Sequence, residues 1–529
     1  MTSQYRSALS GEDIVQFIDR CGEALDALAP FLDDLNALGG SDFDTGANAA
    51  RSFAAVKRLM RRSREEVDSA STFLQALTVY ARAGSAGHVG ILITSIIAAL
   101  SSATSANEVR PIDMRAFLAS LPNALEDAFS TPAPELMEMA TAARAVALDT
   151  PDPIDAAHMM VGRASMVVQD ALIEATSGWI NPGACVFAVM ISALHSVYEN
   201  SLSPLEVARD MMRSLAQSTK ISKRSEAPHE GAQFSVDFHV DCMAEDLAEF
   251  RASLDERGYR YSMQGSADQL GMGTWRFHID TSDPAAVLPK VGWTRHIVVK
   301  DARYGELIGY DELAVQEEES GVLYLSRPTW QRPETVLVIA LLRNEHFLEE
   351  VASTGAHVIL NPIRQDAVLI SELMLSAPSR VSLVVAGDED AAEVAMRAKK
   401  LALKSAEVFV VSDTPPYSDV AVSVLAGKAA PIFMPQVGDR TAKITRDLLE
   451  SAVRAAKARV AVLEEVDPQT VSFSLKQLVG YGLERVVMIA PEPDMLLRHS
   501  IEMALDDRGA TQYVEYARDN RTQVVLVNR

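Results

Sequence analysis

The sequence predicts a multidomain chain: an all-α domain, then a small α/β domain, then a larger α/β domain. Three observations carry this. The chain has 529 residues, too many for one core and enough for about three domains of roughly 100–200 residues each. Apolar residues recur at helical spacing in the first part and in β-rich runs in the last. A polar stretch without an apolar period, "STKISKRSEAPHEGAQ" (218–233), and a second, irregular stretch, "EEESGVLYLSRPTWQRPE" (317–334), separate the parts. The expected domains are therefore 1–217, 234–305 and 334–529.

From Ile14 to about Gln217 the chain is Ala-rich and periodic. Phe53, Val56, Leu59 and Met60 fall at i, i+3, i+6 and i+7, interleaved with Arg51, Lys57, Arg58 and Arg61, the signature of an amphipathic helix. The least polar stretch, "HVGILITSIIAALSSATSAN" from His88, is diluted by Ser, Thr and Asn. It reads as a buried helix, since a membrane span needs about 20 predominantly apolar residues. In the second domain "FSVDFHVDC" (234–242) alternates as a strand, "EDLAEFRASLDERG" (245–258) is a helix closed by Gly258, and "TWRFHIDT" (274–281) alternates again. In the third, "TVLVIAL", "AHVILNP", "VSLVVAG", "EVFVVSD", "RVVMIAP" and "TQVVLVN" are continuous apolar runs of the kind covered on both faces. Helical segments such as "DAAEVAMRAKKLALKS" lie between several of them, which predicts a mostly parallel sheet. No repeat period is present.

Composition narrows function. With 48 % hydrophobic and 23 % charged residues the chain is ordinary globular protein, and 49 basic against 72 acidic side chains leave a formal charge of −23. Such a balance repels a phosphate backbone, so no nucleic-acid partner is expected. An anionic ligand such as a nucleotide would need a metal ion or helix N-termini. Cys21, Cys185 and Cys242 are far apart, which fits a reduced, cytoplasmic setting. Glu12 and Asp13 stand where a signal peptide would be apolar, and neither a leader nor a membrane span is expected.

The general phosphate signatures GxxxxGK[ST] and GxGxxG are absent, as are HExxH and GxSxG. What remains is "SDFDTGAN" (41–48). In an extended loop residues two apart point the same way, so Asp42 and Asp44 can aim both carboxylates at one hard cation such as Mg²⁺. Gly46 permits a tight turn, and Thr45 and Asn48 sit where the next helix presents free N–H groups. The plainer alternative is a helix cap. "GSAGHVG" (84–90) sets three glycines before an apolar helix, "GRAS" (162–165) lies in a helical run, and "INPGA" (180–184) opens another helix. Each reads either as close backbone approach to a ligand or as tight helix packing and a plain turn.

In this order the motifs resemble the nucleotide-binding (DhaL-like) subunit of dihydroxyacetone kinases and, more closely, the same domain in the bacterial fatty acid kinase ATP-binding subunit. The family's D-G-D-T-G-T-N, preceded by L-N-A-L, is matched by Leu35-Asn36-Ala37-Leu38 and Asp42-Phe43-Asp44-Thr45-Gly46-Ala47-Asn48. Its G-A-R-G-N-S-G is matched by Gly84-Ser85-Ala86-Gly87-His88-Val89-Gly90, with Thr94 at a following hydroxyl position. G-R-A-S and D-P-G-A are matched by Gly162-Arg163-Ala164-Ser165 and Asn181-Pro182-Gly183-Ala184. Later, "FHIDTSDPAAVL" (277–288), "LNPIRQDAVL" (360–369) and "VSDTPPYS" (411–418) are similar to the family's middle and DegV-like C-terminal domains. The resemblance therefore spans essentially the whole chain.

It implies an all-α nucleotide-binding helical barrel, a small α/β domain and a DegV-like α/β domain. ATP and Mg²⁺ are the implied cofactors: Asp42 and Asp44, with Asn36 as a third position, hold the metal and carry the chemistry. Thr45, Gly46, Asn48, Gly87, His88, Gly90, Thr94, Arg163, Asn181 and Gly183 bind the nucleotide. The implied reaction transfers a phosphoryl group to the carboxylate of a fatty acid presented by a separate fatty-acid-binding DegV-family protein, giving an acyl phosphate. The C-terminal domain is left for homodimer formation or docking. The alternatives are a non-catalytic nucleotide-sensing or regulatory scaffold and, more weakly, a dihydroxyacetone-type kinase. Three departures matter. The family's loop serine is Val89 and its Asn is His88; the Asp of D-P-G-A is Asn181; and where the family has a Cys and paired His resembling a zinc site, this chain has Ser235, His278 and Asp280, a set that does not predict zinc. Cys242 and His239 lie nearby, as ordinary alternating strand positions do.

Overall fold

The computed structural model describes residues 5–38, 44–62, 69–150, 157–176, 180–218, 233–302, 336–376, 381–402, 408–412, 416–432, 440–463, 466–478, 483–506 and 514–529. They form two compact units, the first built mainly from residues 1–282 and the second mainly from 331–529.

Among the described residues the first unit opens with nine helices: α1 (Gly11–Leu38), α2 (Thr45–Arg62), α3 (Ala70–Gly84), α4 (Gly87–Ala103), α5 (Pro111–Ala128), α6 (Pro134–Asp149), α7 (Ala157–Ala175), α8 (Pro182–Glu199) and α9 (Ser203–Ser218). Phe53, Val56 and Met60 are buried on α2 as their spacing requires; the Leu59 side chain lies outside the described residues. Helices α4 and α8 are the innermost. Almost every side chain of α8 is buried, and Leu92, Ile93, Ile96 and Ile97 of α4 belong to the same core. Among the described residues one helix, Pro182–Glu199, is long and apolar enough to cross a membrane, and 83 % of that window is buried inside the fold, as in a core helix. The cysteines are free and buried.

The same unit contains β1 (Phe234–Met243), α10 (Ala244–Glu256), β2 (Arg260–Ala267) and β3 (Met272–Thr281). Gly258, at φ +71°, turns the chain from α10 into β2. The three strands form an antiparallel sheet ordered β2-β3-β1, pairing Asp237 with His278 and Ser262 with His278 on the two sides of β3. Alternation sorts the faces. Val236, Phe238, Phe277, Ile279 and Tyr261 take one, where Phe250 of α10 packs on Phe238 and Phe277 at ring separations of 6.2 and 5.3 Å. Ser235, Asp237, His239, Ser262, Arg276 and His278 take the other and are buried too. That polar face is covered by the helices. The Ser130 N–H donates to the Tyr261 carbonyl at 3.0 Å, and Arg82 donates to Gln264 at 2.6 Å. The helical array and the small sheet are thus one unit rather than two.

In the second unit β4 (Trp293–Asp301), of which residues 294–301 belong here, pairs antiparallel with β6. This divides the expected 234–305 domain. The strands β5 (Leu337–Leu342), β6 (His357–Leu360), β7 (Val381–Ala386) and β8 (Val408–Ser412) are parallel in the order β6-β5-β7-β8. Between them run α11 (Leu348–Ala352), α12 (Asp366–Ser376) and α13 (Glu389–Ala402), followed by α14 (Asp419–Ala429) and α15 (Thr441–Lys457). The remaining elements are β9 (Val460–Leu463), α16 (Pro468–Leu478), β10 (Leu483–Ala490), α17 (Met495–Asp506), β11 (Val514–Arg518) and β12 (Gln523–Asn528). They build a separate sheet ordered β11-β10-β12-β9, in which only β10 and β11 are parallel. The expected mostly parallel sheet is therefore confined to β5–β8. The link at 519–522 is too short for a crossover of a dozen or more residues, so β12 runs back antiparallel.

Candidate functional site

The α1–α2 junction carries the acidic motif. Asp42 lies outside the described residues. Asp44 is half-buried and immediately precedes α2. Asp33 of α1 accepts from the N–H groups of Gly46 at 2.8 Å and Ala47 at 3.1 Å, so a carboxylate from the preceding helix caps α2 and its first donors are taken. Asn36, three residues on from Asp33 and hence on the same side of α1, is buried. Gly46 is required by packing: a Cβ there would stand 2.0 Å from the Ala29 carbonyl oxygen. Thr45 begins the helix, and the Asn48 N–H donates to the Asp44 carbonyl at 2.7 Å. Arg51, one turn further, donates to Asn48 Oδ1 at 2.9 Å.

The glycine loop comes to the same place. Gly87 has φ +63°, and a Cβ on it would fall 2.6 Å from Asn48 Nδ2; one on Gly90 would fall 2.9 Å from Ser52 Oγ. Ser52 in turn donates to the Asn48 carbonyl at 2.7 Å and accepts from the Ala86 N–H at 3.2 Å. The start of α4 is thereby laid against Asn48–Ser52 of α2. Its N-cap is Ala86, which has no side-chain acceptor to offer, so the helix brings an uncapped, positively polarised end to this spot. Val89 is 6 % exposed and belongs to the helical core, and Thr94, also buried, donates its hydroxyl to the Gly90 carbonyl at 2.8 Å inside the helix. Neither side chain is a donor at the loop.

His88 points to the polar face of the sheet. Its Nδ1 lies 2.8 Å from Ser262 Oγ and its Nε2 3.0 Å from Asp280 Oδ2. His278 stands edge-on to it, ring centroids 4.3 Å apart. The His278 Nε2 is 3.5 Å from Asp280 Oδ1; its Nδ1 is 3.2 Å from Asp237 Oδ2, an ion pair whose angle is not that of a hydrogen bond. Arg276 donates to Asp237 at 3.0 Å and to His239 Nε2 at 2.9 Å. Burial by itself would lower the His278 pKa, but Asp237 and Asp280 outweigh it and raise it to about 10, so the ring is a cation at neutral pH. Burial opposes ionisation of Asp280 as well, yet His88 and His278 hold its carboxyl well below the usual range. Burial draws the Arg51 guanidinium below its ordinary value, against the pull of Asp44 and Asp237. Arg51 thus feels the charges of both Asp44 and Asp237.

The other predicted residues are elsewhere in the helical array. Gly162 lets α7 and α8 approach, since a Cβ would stand 2.9 Å from His195 Nε2, while Arg163 is exposed and Ser165 pairs with Ser192 at 3.2 Å. Asn181 caps α8, accepting from the Ala184 N–H at 3.2 Å and donating to Glu135 at 3.3 Å. Gly183 sits against that cap, 3.3 Å from Asn181 Oδ1 to a notional Cβ. The contacts of Gly162, Ser165, Asn181 and Gly183 are those of packing and capping. Sequence reasoning missed Asp33, Arg51, Asp237, Ser262 and Arg276. An acid one turn before Asn36 was a usable signal for the first; the strand residues carried none, because alternation predicts a solvent-facing polar side.

In the second unit a cavity of about 490 Å³ is lined by Arg343, Asn361, Asp388, Asp519 and Arg521, at the carboxyl ends of β5, β6 and β7. Beneath it Asp419 is buried and accepts from the N–H groups of Arg343 at 3.1 Å and Asn344 at 2.7 Å. Burial pushes its carboxyl up to about 7.

No protein-family model matches the chain, and no curated protein matches its sequence.

Proposed function

We propose that the chain binds ATP with Mg²⁺ at the α1–α2–α4 junction and transfers the γ-phosphoryl group to the carboxylate of a fatty acid presented by a separate DegV-family protein, forming an acyl phosphate. The observation that supports this best is the meeting of two motifs far apart in sequence: the glycine loop at Gly87 abuts Asn48, one turn after Asp44. Hard oxygen donors at Asp44 and the Asn36 amide suit Mg²⁺, which when bound neutralises charge on the phosphates. The uncapped start of α4 offers backbone N–H groups to a phosphate, and Arg51 supplies a fixed positive charge beside Asn48. Positioning and charge stabilisation are most of what phosphoryl transfer asks of a protein.

A second reading, a nucleotide-sensing scaffold without turnover, is favoured by Val89, which is packed in the core where the resemblance places a phosphate-binding serine. Calorimetry with ATP, with Mg²⁺ present or omitted, tests the common part of both. Binding that needs Mg²⁺ and is lost in Asp44→Asn is expected; equal binding without Mg²⁺, or none at millimolar ATP, would refute it. Acyl-phosphate formation with a fatty-acid-loaded partner then separates the kinase from the scaffold.

A further inference from the structure

We propose that the outward face of α7 is a self-association surface, on which a second copy of this chain docks its own α7 antiparallel about a two-fold axis at Met166. Met159, Met166 and Ile173 are 57 %, 64 % and 43 % exposed, and Arg163 and Asp170 are exposed between them. At about 3.6 residues per turn these five positions fall within about 80° of one another around the helix, so they form one stripe along its outer side. The opposite side is committed to the fold, with Met160, Ala164, Val168 and Leu172 buried in the helical core. A surface apolar residue standing singly needs no explanation. Three of them seven apart, on the face that an amphipathic helix keeps polar, have the spacing by which one helix packs on another.

The order of the stripe identifies its occupant. Read along the chain it runs apolar, positive, apolar, negative, apolar, and it is complementary to itself read backwards. A second α7 running the opposite way and centred on Met166 sets Met159 against Ile173 of the partner subunit and Met166 against the partner's Met166. It also brings Arg163 to the partner's Asp170 within one residue of axial register, about 1.5 Å. The two-fold repeats each contact, so two opposite-charge pairs form and no like-charge pair does. A parallel pairing in register would instead set Arg163 on Arg163 and Asp170 on Asp170, which repel. Isologous two-fold contacts of the antiparallel kind are the commonest in homo-oligomers, and an unrelated partner has no need of a face that matches itself in reverse. One helix from each copy makes a small contact, so association on the order of micromolar is expected. The surface lies in the first unit, whereas the sequence left homodimer formation to the C-terminal domain. It draws on no group of the α1–α2–α4 junction and stands whether or not ATP binds.

The test places a cysteine at the proposed axis in the full chain. The native cysteines are buried, and an antiparallel helix pair holds its two axial positions within disulfide reach. Met166→Cys is therefore expected to form a covalent dimer on mild oxidation, read on a non-reducing gel. Met159→Cys would stand about 21 Å from its own copy and should not cross-link, whereas Met159→Cys combined with Ile173→Cys should. In sedimentation equilibrium the wild-type mean mass should exceed that of one chain and rise between about 1 and about 100 µM. Arg163→Asp and Asp170→Arg should each weaken the association at least about 10-fold by setting like charges together, and the two combined should restore it. No covalent dimer from Met166→Cys, equal cross-linking of Met159→Cys, or association that the single charge reversals leave at wild-type strength would overturn the proposal.

Discussion

Asp33 and Asp44 are both acids of the same junction, and their substitution should have opposite consequences. One oxygen of Asp33 receives the Gly46 and Ala47 N–H groups, and Gly46 is buried. In Asp33→Ala those donors lose an ionised acceptor at the end of α2, where the helix polarity favours it. A hydrogen bond to a charged group contributes about 1.5–3 kcal/mol; two sharing one oxygen are less than additive, so a loss of about 2–4 kcal/mol is expected. For a cooperative unit of this size, each kcal/mol lowers Tm by about 2–4 °C, which gives a fall on the order of 5–15 °C in a far-UV circular dichroism melt of the full chain. Asp44→Asn, half-exposed, should stay within about 0.5 kcal/mol of wild type while losing Mg²⁺-dependent ATP binding. Wild-type melting of Asp33→Ala together with lost ATP binding would show that Asp33 serves the ligand and not the helix, and the division of labour argued above would be wrong.

Gly87→Ala forces an alanine to φ +63° and against Asn48; the left-handed conformation alone costs about 1–2 kcal/mol, so a Tm lower by roughly 3–6 °C and weaker ATP binding are expected, and an unchanged melt would mean that the loop relaxes without cost. Asp419, with a carboxyl raised to about 7, binds more protons folded than unfolded between about pH 4 and pH 7. Its contribution is therefore full below about pH 4 and lost as pH rises through 7, on the order of 4 kcal/mol in all. Asp419→Asn should flatten that dependence, read as urea midpoints at about pH 5 and about pH 8; parallel pH profiles for the two proteins would refute it.

The one-dimensional pattern by itself determined the helical domain, the strands β1 and β3, and the main strands of the β-rich C-terminal region. Phe53, Val56 and Met60 at helical spacing, and continuous runs such as Val381–Ala386, each have one way to bury their apolar surface. Short or polar strands were not legible: β2, with Arg260, Ser262, Gln264 and Ser266, has too few apolar positions, and β9 is four residues long. Asp44, Asn48 and Gly87 could be named from their motifs, but their convergence could not, since it depends on how α2 and α4 pack. Only the tertiary structure decided the sheet face. The alternation in β1 and β3 is what a half-exposed strand shows, and whether Asp237, Arg276 and His278 meet water or a covering layer is invisible in it. The helices cover them, and burial turns an ordinary polar face into charges that must be paired. His88 reaches Asp280 across 192 residues of chain; a contact of that separation exists only once both layers are folded and docked.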